Sequence, residues 1–193
     1  VNGNEDSKLI RLFTALEIPG EIAARLVKLQ RGINDARWIE PENFHITLRF
    51  IGDVAEDIAD EIDLALAQIR VTPFQLSLEG VGAFGGAEPR AIYARVAPNE
   101  TLNILQGRHE SAMRRAGAKP EPRKFTPHVT LARLRHADPT EVYQFITANN
   151  LFATPTFEVS RFVLYSARSS TGGGPYVAER CYPSHGLAND ENF

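Results

Sequence analysis

His45-Ile-Thr-Leu48 and His128-Val-Thr-Leu131 write one tetrapeptide pattern, H-x-T-x, twice in a single chain. Each copy opens or enters an apolar, β-compatible run, over Phe44–Ile51 and His128–Leu134. Side chains on a strand alternate faces with a period of two, so His and Thr of each copy share one face and the apolar residues take the other. Both runs are approached through a proline-containing stretch, Pro41-Glu-Asn-Phe44 and Phe125-Thr-Pro127. One such tetrapeptide says little; two in matching surroundings point to a shared site. Two imidazoles that meet across a cleft are the minimal equipment for metal-free acid–base chemistry at a phosphate. One takes a proton from the nucleophile and the other gives one to the leaving oxygen.

Working outward, the order of elements also repeats. Ile10–Ile18 reads as a strand stopped by Pro19-Gly20, and Ile22, Leu26, Leu29 and Ile33 follow at helical spacing. After the first motif, Ile58, Ile62, Leu66 and Ile69 mark a second amphipathic helix, and Phe74–Phe84 alternates as a strand. The Ala83–Pro89 segment is a turn or linker. Ala91–Ala97 is then a strand stopped by Pro98, with Leu102, Leu105, His109 and Met113 on one helical stripe. After the second motif comes a helix over Glu141–Asn149, capped by Asp138 with Pro139 at its first position. Strands over Thr156–Ser166 and Tyr176–Tyr182 close the series. Pro19 matches Pro98 at an offset of 79, while His45 matches His128 and Leu76 matches Val159 at 83. This spacing predicts an internal duplication about a pseudo-twofold axis, which sets equivalent residues face to face. The expected fold is α+β and bilobal: two mostly antiparallel sheets, helices on the outer faces, and a central groove. The expected organisation is a polar N-terminal tail over 1–8 and a single domain over 9–182. Its pseudo-repeats span about 9–84 and 90–166, its closing strand 176–182, and a polar C-terminal tail takes 183–193.

The 193 residues are 43% hydrophobic and 23% charged, the composition of a globular protein large enough to build its core without a staple. One cysteine, Cys181, excludes an internal disulfide and a cysteine-rich metal site, and it reads as a small apolar residue of a late strand. No run approaches the ~20 apolar residues of a membrane span, and Val1–Lys8 lacks a signal-peptide core, so a cytoplasmic protein is expected. A formal net charge of −3 argues against coating nucleic acid by bulk electrostatics. Locally the balance reverses. Between Arg114 and Arg135 lie seven basic residues and one acidic, Glu121, around the second motif. They form either a solvated helix end and loop or a basic rim that attracts phosphate.

The other histidines do not pair: His109 reads as packed on a helix stripe, His136 as a turn residue, and His185 as part of the polar tail. No His-Glu-x-x-His, acidic cluster or Cys/His cluster is present, nor a G-x-x-x-x-G-K-[ST] or G-x-G-x-x-G loop, so no metal, ATP or NAD is expected. Gly172–Gly174 reads as a hairpin turn rather than a phosphate cradle. Two arginines compete for a phosphate. Arg49 lies four residues after His45, on the histidine face by period alone. Arg133 follows Thr130 by three and needs a bulge or strand end to turn inward. Phe50 and Trp38 are candidates for stacking on a base and equally good core residues.

The chain resembles the two-histidine phosphoesterase superfamily, and within it the RNA 2′,3′-cyclic phosphodiesterases, also called 2′–5′ RNA ligases. The resemblance covers roughly residues 9–182. It rests on Arg11–Leu16, Arg37–Gly52, Gly82-Ala-Phe84, Phe125–Arg133 and Arg161–Tyr165 as well as the two motifs. It implies a bilobal fold, catalysis by His45 as proton donor and His128 as proton acceptor, and phosphate binding by Thr47, Thr130 and Arg133. No cofactor and no metal are implied. The implied substrate is RNA ending in a 2′,3′-cyclic phosphate, tRNA fragments included, for a monomer with no protein partner and no membrane. The implied reaction is hydrolysis to a 2′-phosphate, with a reversible 2′–5′ joining reaction through the same groups. Sequence leaves the acid and base roles interchangeable. It also leaves open a small cyclic nucleotide or a 2′–5′ oligonucleotide as substrate, and a nucleotide- or RNA-end-binding module without turnover.

Overall fold

Strand 1 (β1, Ile10–Glu17) buries five consecutive residues, Leu12–Leu16, because strands pair with it on both edges. The computed structural model describes residues 9–167 and 174–183. The two tails beyond these limits, most of the Gly172–Gly174 run and His185 lie outside the described residues.

The first half continues with α1 (Gly20–Val27), β2 (Arg37–Trp38), β3 (His45–Val54), α2 (Glu56–Ala67) and β4 (Phe74–Leu76). Strand β5 (Leu78–Phe84) leads into the second half, which runs β6 (Ala91–Val96), α3 (Glu100–Arg115), β7 (His128–Arg133), α4 (Pro139–Asn149), β8 (Phe157–Val159), β9 (Phe162–Ser166) and β10 (Val177–Tyr182). Local signals account for most boundaries. Asn99 and Asp138 cap α3 and α4 by accepting from the backbone N–H groups of Leu102 and Thr140. Helix α1 ends earlier than the Leu29 and Ile33 periodicity implies. Leu29 and Gln30 close i to i+3 turns, and the Gln30 amide donates to the carbonyls of Ile39 (2.7 Å) and Leu131 (3.3 Å), drawing the chain off the helix axis.

Both sheets are antiparallel. The larger has the order β10-β9-β1-β3-β7-β6-β5, with β2 added against β7, and the smaller pairs β4 with β8. The division is not one sheet per repeat. Hydrogen bonding runs across the seam between the halves, where β3 and β7 share one register pair, Ile46↔Val129. Phe74–Phe84 and Thr156–Ser166, each read as one strand, are in fact two. Their first parts, β4 and β8, pair with each other, while β5 crosses to the second half and β9 to the first. A chain that changes sheets must break its ladder, which periodicity within the run does not reveal.

The register carries the twofold relation directly. Ile46 faces Val129 and Gln75 faces Glu158, each residue opposite the one 83 positions later. The order of strands is likewise symmetric about the seam: β9-β1-β3 on one side and β5-β6-β7 on the other. A single apolar core joins the two halves, with Leu16, Ile46 and Ile62 from one and Ile92, Leu102 and Val129 from the other all essentially inaccessible. Among the described residues no helix is long and apolar enough to cross a membrane.

Candidate active site

The single seam pair fixes where the two motifs meet. Its partners Ile46 and Val129 are fully buried, so their neighbours His45, Thr47, His128 and Thr130 face the opposite side. Continuing the register one step each way sets His45 beside Thr130 and Thr47 beside His128. The four side chains become the corners of one tile. Because β3 and β7 pair only here, they part on either side, and the tile lies in a groove of about 610 Å³ lined by all four residues.

Each imidazole is held in the same way. The Nδ1–H of His45 donates to the Asn43 carbonyl (2.7 Å), and that of His128 to the Thr126 carbonyl (2.6 Å). A carbonyl only accepts, so Nδ1 carries the hydrogen in both rings and Nε2 is left for a ligand. Aromatic rings enclose each imidazole. Phe13 and Tyr176 lie 5.1 and 5.2 Å from His45, and Phe84 and Tyr93 lie 4.8 and 5.2 Å from His128. Gly82 makes room for Tyr93 to reach across. A Cβ there would stand 2.7 Å from the tyrosine ring carbon that bears the hydroxyl. This enclosure desolvates the rings and disfavours their charged forms. Burial first, and then the positive fields of His128 and Arg133, push His45 down to about 4, against the opposing bond to Asn43. His128 is lowered for the same leading reason, with Arg133 and Arg123 adding to it. In the protein by itself both imidazoles are therefore neutral at pH 7.

The choice between the arginines is made by two β-bulges. The β1–β3 ladder passes from Ala15↔Thr47 to Thr14↔Arg49 and skips Leu48; the β6–β7 ladder passes from Tyr93↔Thr130 to Ile92↔Ala132 and skips Leu131. Leu48 and Leu131 are themselves 83 residues apart. Each bulge advances the alternation by one residue beyond the motif. Arg133 thus turns onto the histidine face, exposed and lining the groove. Arg49 also reaches the groove lining, but as a buried, ion-paired side chain. It is 3% exposed and spent on Glu110 (2.5 Å) and on the carbonyls of Phe50 and Lys119.

The remaining candidates separate cleanly. Phe50 is 39% exposed and lines the groove, whereas Trp38 packs on Phe145 with ring centroids 6.4 Å apart. Arg123 and Lys124 reach the groove, the former bonded to Glu121 at 2.7 and 3.0 Å; Arg114 and Arg115 end α3. The basic run is therefore partly a rim and partly a helix terminus. His109 is fully buried against Phe162, and His136 is an exposed residue with φ of 56°. Among the described residues no group of three or more His, Cys, Asp or Glu could hold a metal ion. The aromatic enclosure by Phe13, Tyr93, Tyr165 and Tyr176 was missed in the sequence. Its only signal was the small residue at Gly82.

Comparison with known proteins agrees with this geometry. The family described as the 2′-5′ RNA ligase superfamily matches residues 18–171. The RNA 2′,3′-cyclic phosphodiesterase of Aeropyrum pernix is 39% identical over 122 residues, covering 60% of this chain and 69% of the relative. That of Aquifex aeolicus is 27% identical over 90% of this chain and 95% of its own length. Among solved structures, TT0787 of Thermus thermophilus superposes with a TM-score of 0.73 at 24% identity, over 89% of this chain and 96% of its own. LigT of E. coli complexed with 3′-AMP also gives 0.73 at 24%, over 93% and 100%. At such identities the structural likeness speaks for the fold, and the family match over most of the chain speaks for descent. The chain belongs to the 2′-5′ RNA ligase superfamily.

Proposed function

We propose that this protein hydrolyses the 2′,3′-cyclic phosphate at an RNA end to a 2′-phosphate, by acid–base catalysis between His45 and His128 without a metal or cofactor. One observation carries the reading. The two H-x-T motifs share one tile, and both imidazoles have Nδ1 tied back so that Nε2 serves the groove. Relatives named RNA 2′,3′-cyclic phosphodiesterase supply the substrate class.

Water attacks phosphorus and His128, whose burial favours the neutral form, takes its proton. The P–O3′ bond breaks, and His45 gives its proton to O3′, leaving a 3′-hydroxyl and a 2′-phosphate. Thr47 and Thr130 bond the non-bridging oxygens, and Arg133 opposes the charge that grows on them. His45 is not charged before substrate arrives, since burial holds it at about 4. The phosphate's negative charge restores the proton, so substrate binding itself sets the two opposite protonation states. Joining to a 5′-hydroxyl uses the same groups in the same roles: the hydroxyl takes the place of water, its proton goes to His128, the P–O3′ bond breaks and a 2′–5′ linkage forms, with water at ~55 M favouring hydrolysis unless the groove holds a second RNA end. We read residues 9–182 as one catalytic domain with pseudo-repeats over 9–84 and 90–166. It acts as a cytoplasmic monomer on RNA ends, tRNA fragments among them.

The test is a short RNA ending in 2′,3′-cyclic phosphate, with products resolved into 2′- and 3′-phosphates. Conversion to the 2′-phosphate is expected. Tight binding with no conversion would leave a non-catalytic RNA-end-binding module instead.

A further inference from the structure

The cations that line the groove are unevenly placed. From the first half only Arg49 lines it, buried and ion-paired with Glu110. The second half supplies Arg90, Arg123, Lys124 and Arg133, all exposed. One reacting phosphate, held by Thr47, Thr130 and Arg133, leaves Arg123 and Lys124 without a task.

These two residues belong to the stretch over 116–127, which joins α3 to β7 without a helix or strand of its own. The stretch is nonetheless pinned on both sides of them. Arg49 donates to the Lys119 carbonyl, which sets β3 and its Phe50 beside this segment. Further on, the carbonyls of Thr126 and Pro127 accept from His128 Nδ1 (2.6 Å) and from the backbone N–H of Val96 (3.2 Å). The two cations are therefore presented on an edge that is already ordered, which lowers the entropy lost on binding. Among the described residues Lys124 makes no ion pair. Arg123 is 74% exposed and bonds Glu121 at 2.7 and 3.0 Å, and Glu121 is the one carboxylate among the described residues of the lining. Two rings share the stretch. Phe50 and Phe125 both line the groove, and neither packs on an imidazole as Phe13, Tyr176, Phe84 and Tyr93 do. Cations that follow a backbone, beside rings that take bases, are the equipment of single-strand binding.

Resting on the phosphodiesterase reading above, we propose that Arg123 and Lys124, with Phe50 and Phe125, form a subsite for the single-stranded body of the RNA. The protein then takes the end of an oligonucleotide in preference to a mononucleoside cyclic phosphate. Backbone phosphates lie toward the two cations, and bases lie toward the two rings. Glu121 keeps Arg123 tied until a strand phosphate competes for it.

The test needs no turnover. Calorimetry compares a short single-stranded RNA ending in a 2′-phosphate with the nucleoside 2′-phosphate that ends it, between about 0.05 and 0.2 M salt. The RNA should bind more tightly, and its affinity should fall with salt along a slope steeper by about 1.4, the value for two single-strand phosphate contacts. Lys124→Gln should lower the advantage of RNA over nucleotide roughly threefold, and Arg123→Gln with Lys124→Gln roughly tenfold, as exposed charge contacts do. Both side chains are exposed, so the fold survives their loss. Glu121→Gln should raise the advantage, because it releases Arg123 and removes a like charge. Phe50→Ala should weaken RNA binding roughly fivefold and leave the salt slope unchanged. Lys28→Gln, the same loss of charge on α1 outside the groove, should leave the advantage as it was. Equal slopes for RNA and nucleotide, or an advantage that survives the double variant, overturns the proposal. So does an advantage that Arg90→Gln removes and Lys124→Gln does not. A protein that leaves cyclic RNA ends intact would refute the activity, while the binding ratios would still decide the strand subsite.

Discussion

Binding of the cyclic phosphate should bring one proton with it. Burial and the fields of His128 and Arg133 hold His45 at about 4 in the protein by itself. A phosphodiester carries one negative charge across the working pH range. At about 4 Å and an effective dielectric of about 20, that charge stabilises the imidazolium by roughly 4 kcal/mol. That raises His45 well above its value of about 4. Below about pH 4 His45 is charged in both states, and at high enough pH in neither, so affinity is flat at both ends. Between them the complex holds more protons, and Kd should rise about tenfold per pH unit.

The clean assay uses His128→Ala with a nucleoside 2′,3′-cyclic phosphate. The variant lacks the base, so the ligand persists, and His45 is the one groove histidine left. Losing His128 removes one of the fields that lower His45, so calorimetry in buffers of different ionisation enthalpy should find a net uptake of less than one proton near pH 5.5 that fades toward pH 8. Constant affinity with no proton uptake from about pH 5.5 to 8 would refute the reasoning. His45 would then stay neutral beside the phosphate and could not be the acid.

Four further outcomes are expected. His45→Ala and His128→Ala should each lower turnover by ~10²-fold or more, with the double variant little worse than the worse single. A substrate with a very good leaving group should rescue His45→Ala alone, and rescue of His128→Ala instead would exchange the roles. Activity should survive exhaustive EDTA treatment; loss on chelation and recovery with a divalent ion would contradict the metal-free mechanism. Arg49→Met should lower stability in urea by about 2 kcal/mol, because it strands Glu110 and the loop carbonyls. Arg133→Met should leave stability unchanged and lower kcat/KM, a contrast that the opposite pattern would overturn. Folded His109 is held at about 4 by burial, so stability should be full above about pH 6.5 and fall by about 3 kcal/mol as pH drops toward 4. His109→Leu should flatten that acid limb in thermal melts.

The helices and the motif strands were legible because their signals are local. Period 3.6 marks α2 and α3, Asp138 and Pro139 open α4, and the offset of 83 pairs the motifs. The two-residue strand β2 was not legible. It exists because β7, after parting from β3, still has backbone groups to satisfy, and Arg37 and Trp38 supply them opposite Arg133 and Ala132. The crossing of β5 and β9 between halves was hidden for a related reason: an alternating run shows which face is buried, not which neighbour it pairs with.

The arginines show where reading by period fails and why. Alternation assigns Arg49 to the histidine face and Arg133 to the back, whereas both border the groove, Arg133 exposed in it and Arg49 buried and ion-paired with Glu110. A bulge costs one residue of register and leaves no mark in composition. Its effect is to send the residue four after the motif histidine inward and the residue five after it into the groove. Since the bulge recurs at Leu48 and Leu131, it is part of the repeated unit and not a local accident of one strand. The position it exposes is therefore the same in both halves, and only the side chain placed there differs.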